Sequence, residues 1–352
     1  MREVRRKSLL AGMRPPATNT VTKRIDWIDP ILLARQRYGT EAVRKLHPVS
    51  GTTPKALCPM DVVQIDHTVV DVMIVDPISR QPIGRPYLTI AIDECSRCIV
   101  GLVVTLEAPS VISVGLCLAN TAVQKRRLIE RLGVDVGWPM HGIPRSLYLD
   151  NAAEFKSEAL RRGCEQYGIA LHYRPGGCPN YGGIVERIIG TVMKWAHELP
   201  GTTFSNPSER SGYESEKIAV LTISELEKWM VLAVCGVYHE TVHSTLHQSP
   251  ASCWSKAISI HGMPKAAADP ESFLIDFLPV VRRILGRGGF VIDHIHYFSN
   301  ALTPWIARQH EMRKFVIRRN PLDLIRIWVL DPDANSYLEV PYRTLSNQAV
   351  TL

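Results

Sequence analysis

No stretch of eighteen consecutive apolar residues occurs in the 352 residues, so no segment reads as a membrane span. The basic start, Met1-Arg-Glu-Val-Arg-Arg-Lys7, is followed only by Leu9-Leu10-Ala11, too short an apolar run for a secretory signal. The eight cysteines (58, 95, 98, 117, 164, 178, 235 and 253) mostly sit inside apolar runs such as Val114-Gly-Leu-Cys117-Leu118. A disulfide framework is not expected in such a chain, and these thiols read as small buried hydrophobes. Cys95-Ser-Arg-Cys98 has no second CxxC to complete a zinc site, so it reads as two thiols flanking a strand. Internal repeats are lacking. Apolar content of 45% and charged content of 21% exclude an acidic disordered protein, a collagen-like chain and a coiled coil. These absences together predict an intracellular protein of a reducing compartment.

What is present is a positive balance with a shape. The 41 Lys and Arg exceed the 34 acids by seven. Residues 1–50 hold eleven bases against four acids, residues 51–279 twenty against twenty-four, and residues 280–352 ten against six. Basic ends suit a polyanion such as nucleic acid, and an acidic middle suits a site that needs carboxylates. An ordinary solvated surface explains either feature equally well. The length allows two or three domains.

The 61–76 segment, rich in β-branched residues, predicts a strand, as do 87–93 and 98–106. Residues 111–131 show helical spacing and end in Lys125, Arg126 and Arg127 before Gly133. A strand at 145–150, a helix at 154–167, a strand at 169–174, a Gly/Pro loop at 175–183 and a helix at 184–198 follow. Three meandering strands and then alternating helices and strands predict an α/β mixed sheet flanked by helices. Residues 224–243 read as another helix. The pieces between 273 and 345 read as short strands of a small C-terminal β-barrel. Four segments result: a basic N-terminal arm or linker at 1–55, the mixed-sheet domain at 56–200, a helical connector at 201–272 and the barrel at 273–352.

Asp66 lies inside the first strand, Asp150 ends another, and Glu186 opens a helix after the Gly/Pro loop. A charge amid β-branched residues is costly unless paired or bound to a metal, and strand ends in α/β sheets are where ligand crevices form. Three carboxylates meeting at one sheet edge repel unless cations join them, and hard Mg²⁺ ions fit such oxygen ligands. A pair of such ions stabilises the attacking and leaving oxygens of an in-line phosphoryl transfer. Spacing alone leaves Asp93 and Asp76 as substitutes.

The blocks Tyr148-Leu-Asp150-Asn151-Ala-Ala-Glu154-Phe155 and Arg174-Pro-Gly-Gly-Cys-Pro179-Asn-Tyr-Gly182-Gly-Ile-Val-Glu186-Arg187, with Asp66 upstream, resemble the retroviral-integrase-type DDE transposases. Thirty-five residues separate Asp150 from Glu186, as is typical of that superfamily. Residues 199–207 and 238–254 resemble its TniA/TnsB-like large-transposase branch, and the stretch from about Arg282 is similar to the Mu-type C-terminal barrel. The resemblance implies an RNase H-like five-stranded catalytic fold, with Asp66, Asp150 and Glu186 as catalytic metal ligands for two Mg²⁺ ions, Mn²⁺ being able to substitute. It implies two in-line steps: water frees a 3′-hydroxyl at a transposon end, and that hydroxyl attacks target DNA. Asn151, Arg174, Asn180, Arg187 and Lys194 become supporting or DNA-contacting residues. Implied partners are transposon-end and target DNA, further copies on paired ends, and an AAA+ ATPase that selects targets. The implied location is the prokaryotic cytoplasm, on DNA and not at a membrane. Two departures stand out. Gly183 occupies a position where relatives often carry Lys, and only about 60 residues precede the core, so the DNA-binding front end is expected to be truncated or abbreviated.

A competing pattern is His239-Glu240-Thr-Val-His243, an HExxH on a predicted helix, the signature of a zinc metalloprotease. Its extended form lacks the third His, because position 250 is Pro. A catalytically inactive DNA-binding relative is the third alternative.

Overall fold

The computed structural model describes residues 2–39, 43, 56–174, 182–204, 214–308, 314–320, 323–334 and 336–343. The chain divides into two compact units, one of 1–53 with 177–180 and one of 54–176 with 181–352. The first contains three short helices, α1 (Arg2–Leu10), α2 (Thr18–Asp26) and α3 (Pro30–Tyr38). Asp29 starts α3 by accepting from Ile31 N–H, with Pro30 at the first helical position.

The second unit is built on a five-stranded sheet of β1 (Val62–Val69), β2 (Tyr87–Asp93), β3 (Ile99–Thr105), β4 (Ser146–Leu149) and β5 (Ala170–Tyr173), in the order β3-β2-β1-β4-β5. β1, β2 and β3 pair antiparallel, while β4 joins β1 and β5 joins β4 in parallel. This is the order and direction of an RNase H-like sheet. Val63, Ile65, Leu88, Ile90, Val100 and Leu147 are fully buried, which explains the near-continuous apolar runs of these strands. The predicted 61–76 strand stops at Val69. The chain then turns into a small hairpin of Ile74–Val75 with Pro82–Gly84.

Crossovers supply the flanking layers. α4 (Val111–Ala122) is closed at its start by a Ser110–Ser113 capping box. It lies so close to β3 that a Cβ on Gly101 would meet Thr121 Oγ1 at 2.1 Å. The predicted 111–131 helix is broken after Ala122, and a separate turn of helix covers Arg126–Leu132. The break lets the buried Lys125 turn inward and donate to the Val123 and Met140 carbonyls, at 3.0 and 3.2 Å. α5 (Glu158–Tyr167) ends at Gly168, in the left-handed conformation that a Cβ disfavours. α6 (Gly183–Ala196), α7 (Ile223–Leu232), α8 (Pro250–His261) and α9 (Pro270–Phe277) complete the helices used below. Among the described residues no helix is long and apolar enough to cross a membrane.

After α9 come β6 (Val280–Ile284), the hairpin β7 (Phe290–Ile292) and β8 (Ile295–Tyr297), then β9 (Lys314–Asn320), β10 (Asp323–Leu330) and β11 (Tyr337–Pro341). β11-β10-β9-β6 form one antiparallel sheet. It shares a core with the hairpin through Phe290, Tyr297, Ile317 and Val329. The barrel expected from the short strands is therefore found as a sheet and a hairpin joined by a single bridge, Tyr297 to Tyr342. No ladder among the described residues closes it.

Candidate active site

Sheet register creates the site. Ile65 pairs with Leu149, and Leu149 with Tyr173. The next residue on each strand therefore emerges side by side at the carboxyl edge: Asp66, Asp150 and Arg174, with neighbouring strands about 4.8 Å apart. Asp150 follows the last residue of β4 and is exposed, whereas Asp66 lies inside β1, just past the end of its pairing with β4, and is half-buried beside fully buried Ile65. Each aspartate is oriented by the amide that follows it. Asp66 Oδ1 accepts from His67 N–H at 2.9 Å, and Asp150 Oδ1 from Asn151 N–H at 2.5 Å.

Glu186 arrives from the first turn of α6 and is exposed. Arg174 stands beside it and Asp66. Its Nη1 donates to Asp66 Oδ2 at 3.3 Å, and Nη1 and Glu186 Oε1 both lie within 2.6 Å of the point where Gly182 would carry a Cβ. A side chain at Gly182 would push the ends of both Arg174 and Glu186 out of their present places. Asn151 secures the strand end by donating from Nδ2 to the Arg174 carbonyl. Arg174 Nε and Nη2 are buried and have no hydrogen-bond partner in the structure.

The carboxylate oxygens of Asp66, Asp150 and Glu186 are donors that suit a hard divalent cation, whereas the Arg174 guanidinium beside Asp66 competes with one. In this structure the positive charge next to Asp66 and Glu186 is that of Arg174. Among the described residues no three His, Cys, Asp or Glu side chains are gathered closely enough to hold an ion.

Other sequence candidates sort clearly. Asp93 is fully buried and accepts from Met60 N–H, Ser96 N–H and Ser96 Oγ, so it organises a turn. Burial nonetheless pushes its carboxyl above the usual range. Asp76 accepts from Ile78 and Ser79 in an exposed turn. Neither substitutes for the carboxylates at the sheet edge. Lys194 is exposed in the last turn of α6, about 12 Å along the axis from Glu186, and Arg187 faces away from the carboxylates. Asn180 lies outside the described residues.

The HExxH expectation fails on geometry. α7 passes into a π-helical turn at Ala233–Tyr238, and 239–243 is not helical, so the two His are not one helical turn apart. His239 is buried and its Nε2 accepts from Ile99 N–H at 3.1 Å. Burial lowers its pKa to about 4, which keeps the ring neutral. His243 Nδ1 accepts from Thr245 N–H. The first ring is thus committed to the core.

Sequence reasoning missed Arg97, which projects from the β2–β3 turn with φ of +65° and has a buried Nη1 with no hydrogen-bond partner. The four-residue Glu-Cys-Ser-Arg turn was the only available signal.

Residues 64–201 match the family model of the TnsB C-terminal domain, and residues 275–339 that of the Mu transposase C-terminal region. The chain is 26% identical over 276 residues to the transposase for transposon Tn552 of Staphylococcus aureus, covering 78% of this chain and 52% of that protein. It is 30% identical over 155 residues to the transposon Tn7 transposition protein TnsB of Escherichia coli, covering 43% and 22%. The chain thus spans about half the length of the first relative and about a fifth of the second. Among solved structures it is similar to the HTLV-2 integrase catalytic core domain in complex with magnesium (14% identity, 56% of this chain, 99% of that one, TM-score 0.32). It is also similar to a chain of the simian T-cell lymphotropic virus intasome (13% identity, 94% and 98%, TM-score 0.39). At these TM-scores the fold rests on the strand order and register given above.

Proposed function

We infer, from the premise that the chain belongs among the TnsB-like, Mu-type transposases, that it is a DDE-type polynucleotidyl transferase. It frees transposon 3′ ends by hydrolysis and joins them to target DNA. The observation that carries this reading is the register that brings Asp66 and Asp150 together at the edge of the sheet, with Glu186 facing them across Arg174.

Asp66, Asp150 and Glu186 would hold a pair of divalent ions, Mg²⁺ by the hardness of their oxygens. Bound there, such ions lower the pKa of an attacking hydroxyl and neutralise charge on the phosphate. The chain's own residues orient and screen. The amides of His67 and Asn151 fix one oxygen of each aspartate. Asn151 ties down the strand end that carries Arg174, which keeps the guanidinium beside Asp66. No Ser, Cys or Tyr nucleophile is needed, because both steps are direct displacements.

Transposon-end and target DNA, further copies of the chain on paired ends, and an AAA+ target selector are the partners this reading brings, with the prokaryotic cytoplasm as location. The four-part division at 55, 200 and 272 is kept with it. The test is oligonucleotide strand joining with Mg²⁺ or Mn²⁺, wild type against Asp66→Asn. Metal-dependent joining should disappear in the variant. Joining that survives sinks the assignment, and binding without joining in the wild type would favour an inactive DNA-binding relative.

A further inference from the structure

α6 has a second functional face. Glu186 points to the sheet edge, whereas Ile184, Ile188, Thr191 and Trp195, at spacings of four, three and four, line the opposite side. There they wall a groove of about 460 Å³ whose other bank is the 241–245 turn after the π-helical segment. Arg97, Arg187 and His243 all reach this groove, and no Asp or Glu is among the residues that line it.

Arg97 is held there deliberately. Its amide donates to Asp93 O at 2.9 Å, and its carbonyl accepts from Tyr238 Oη at 2.8 Å. Together these lock a left-handed backbone conformation that non-glycine residues rarely adopt. The reward is not an internal bond, because its buried Nη1 has no partner. The Arg97 side chain nonetheless lines the groove, where its guanidinium can meet an external acceptor. The surroundings are electropositive: after burial, Arg97 and Arg187 are the causes that lower the His243 pKa. Two positive charges, the hydroxyl of Ser244 and the indole of Trp195 make a surface that recognises a phosphate with a flat ring beside it.

We propose that this groove binds the phosphodiester backbone of DNA, with Arg97 and Arg187 as paired phosphate contacts. The proposal rests on the transposase reading for its choice of polyanion. The groove lies behind the catalytic face, so a strand held there is not the one being cut at that moment by the same copy.

The test is fluorescence anisotropy with a short labelled duplex of arbitrary sequence, in EDTA so that no chemistry intervenes, across a salt series. Arg97→Ala should weaken binding about tenfold and reduce the salt slope by about one, and Arg97→Lys should restore the slope. Val242→Glu sets a carboxylate in the groove at a side chain that is 67% exposed. It should weaken binding at least about fivefold with an unchanged melting midpoint. Unchanged affinity and slope in both folded variants overturns the proposal. So does a Val242→Glu protein that loses self-association in sedimentation yet keeps its DNA affinity, since the groove would then seat a second copy of the chain. If the wild type joins no strands but these shifts are seen, the groove stands and the catalytic reading falls.

Discussion

Replacing Arg174 by Gln removes the guanidinium that touches Asp66 and comes up to Glu186. Two unit charges 3.3 Å apart attract by about 5 kcal/mol at an effective dielectric of 20. Desolvation of the largely buried arginine offsets much of that, and Asp66 keeps 20% side-chain exposure, so the net loss should be about 2–3 kcal/mol. In a folding unit of this size that lowers the melting midpoint by roughly 3–6 °C in EDTA. With a divalent cation the sign reverses. Arg174 and the cation compete for the same carboxylates, so the variant should bind Mg²⁺ about tenfold to a hundredfold more tightly. Added Mg²⁺ should accordingly raise the variant's midpoint more than the wild type's. Differential scanning fluorimetry across a Mg²⁺ series, without DNA, measures both effects independently of activity. Equal Mg²⁺ shifts in the two proteins, or a midpoint in EDTA that the substitution leaves unmoved, refutes the idea that Arg174 stands where the cation's charge is needed.

Further outcomes follow from other side chains. Asp150→Asn should reduce strand joining by about three orders of magnitude or more while melting changes little, checked by the joining assay and thermal unfolding together. His239→Ala should release no zinc by elemental analysis but should cost about 2–4 kcal/mol, because Ile99 N–H loses its acceptor and a cavity opens. With the folded pKa of His239 at about 4, the unfolded chain binds the extra proton between about pH 4 and 6.5. Wild-type stability therefore falls as pH drops through that window, and the slope should flatten in the variant. Burial likewise holds Lys125 down to about 7. The unfolded state then carries the additional proton between about pH 7 and 10.5, so stability should rise with pH there. Lys125→Met should remove that slope in denaturant titrations and raise stability at pH 7.

The sheet was legible because its residues carry their own pattern. β-branched runs marked the first three strands, the short apolar pieces at 145–150 and 169–174 between helices marked the other two, and Asp66 and Asp150 stood out as carboxylates at strand positions where burial is expensive. What no pattern revealed was register. That Asp66, Asp150 and Arg174 emerge abreast depends on two pairings, Ile65 with Leu149 and Leu149 with Tyr173, between strands far apart in the chain. Helix breaks were equally hidden. Residues 111–131 keep helical spacing throughout, yet the need to bury Lys125 against two carbonyls interrupts them. The HExxH misled because it records side-chain types and not backbone state: the π-helical turn shifts the phase just where the motif begins. Arg97 was silent because its significance lies in an unsatisfied nitrogen and a strained φ, neither of which composition encodes.

Phe277, at the end of α9, has a role in how such proteins can be recombined. A Cβ on Gly115 of α4 would lie 2.9 Å from it, and one on Gly163 of α5 would lie 2.7 Å from its ring. Tyr167 stacks on the same ring, and the neighbouring Asp276 accepts from Gln166 and Tyr167. The helix that leads into the C-terminal sheet is thus keyed to the layer that flanks the five-stranded sheet, while its other side meets the C-terminal sheet, where Ile275 and Leu278 bury against Trp328 of β10, Glu271 pairs with Arg326 and the Leu278 carbonyl accepts from Arg318. A hybrid gene joined ahead of Pro270 would import a foreign key into two glycine-lined seats, whereas one joined at Pro279 would leave the lock whole. α9 is therefore a clasp shared by both sides, and a C-terminal module exchanges cleanly at Pro279 only if it presents the same face as Trp328 to Ile275 and Leu278.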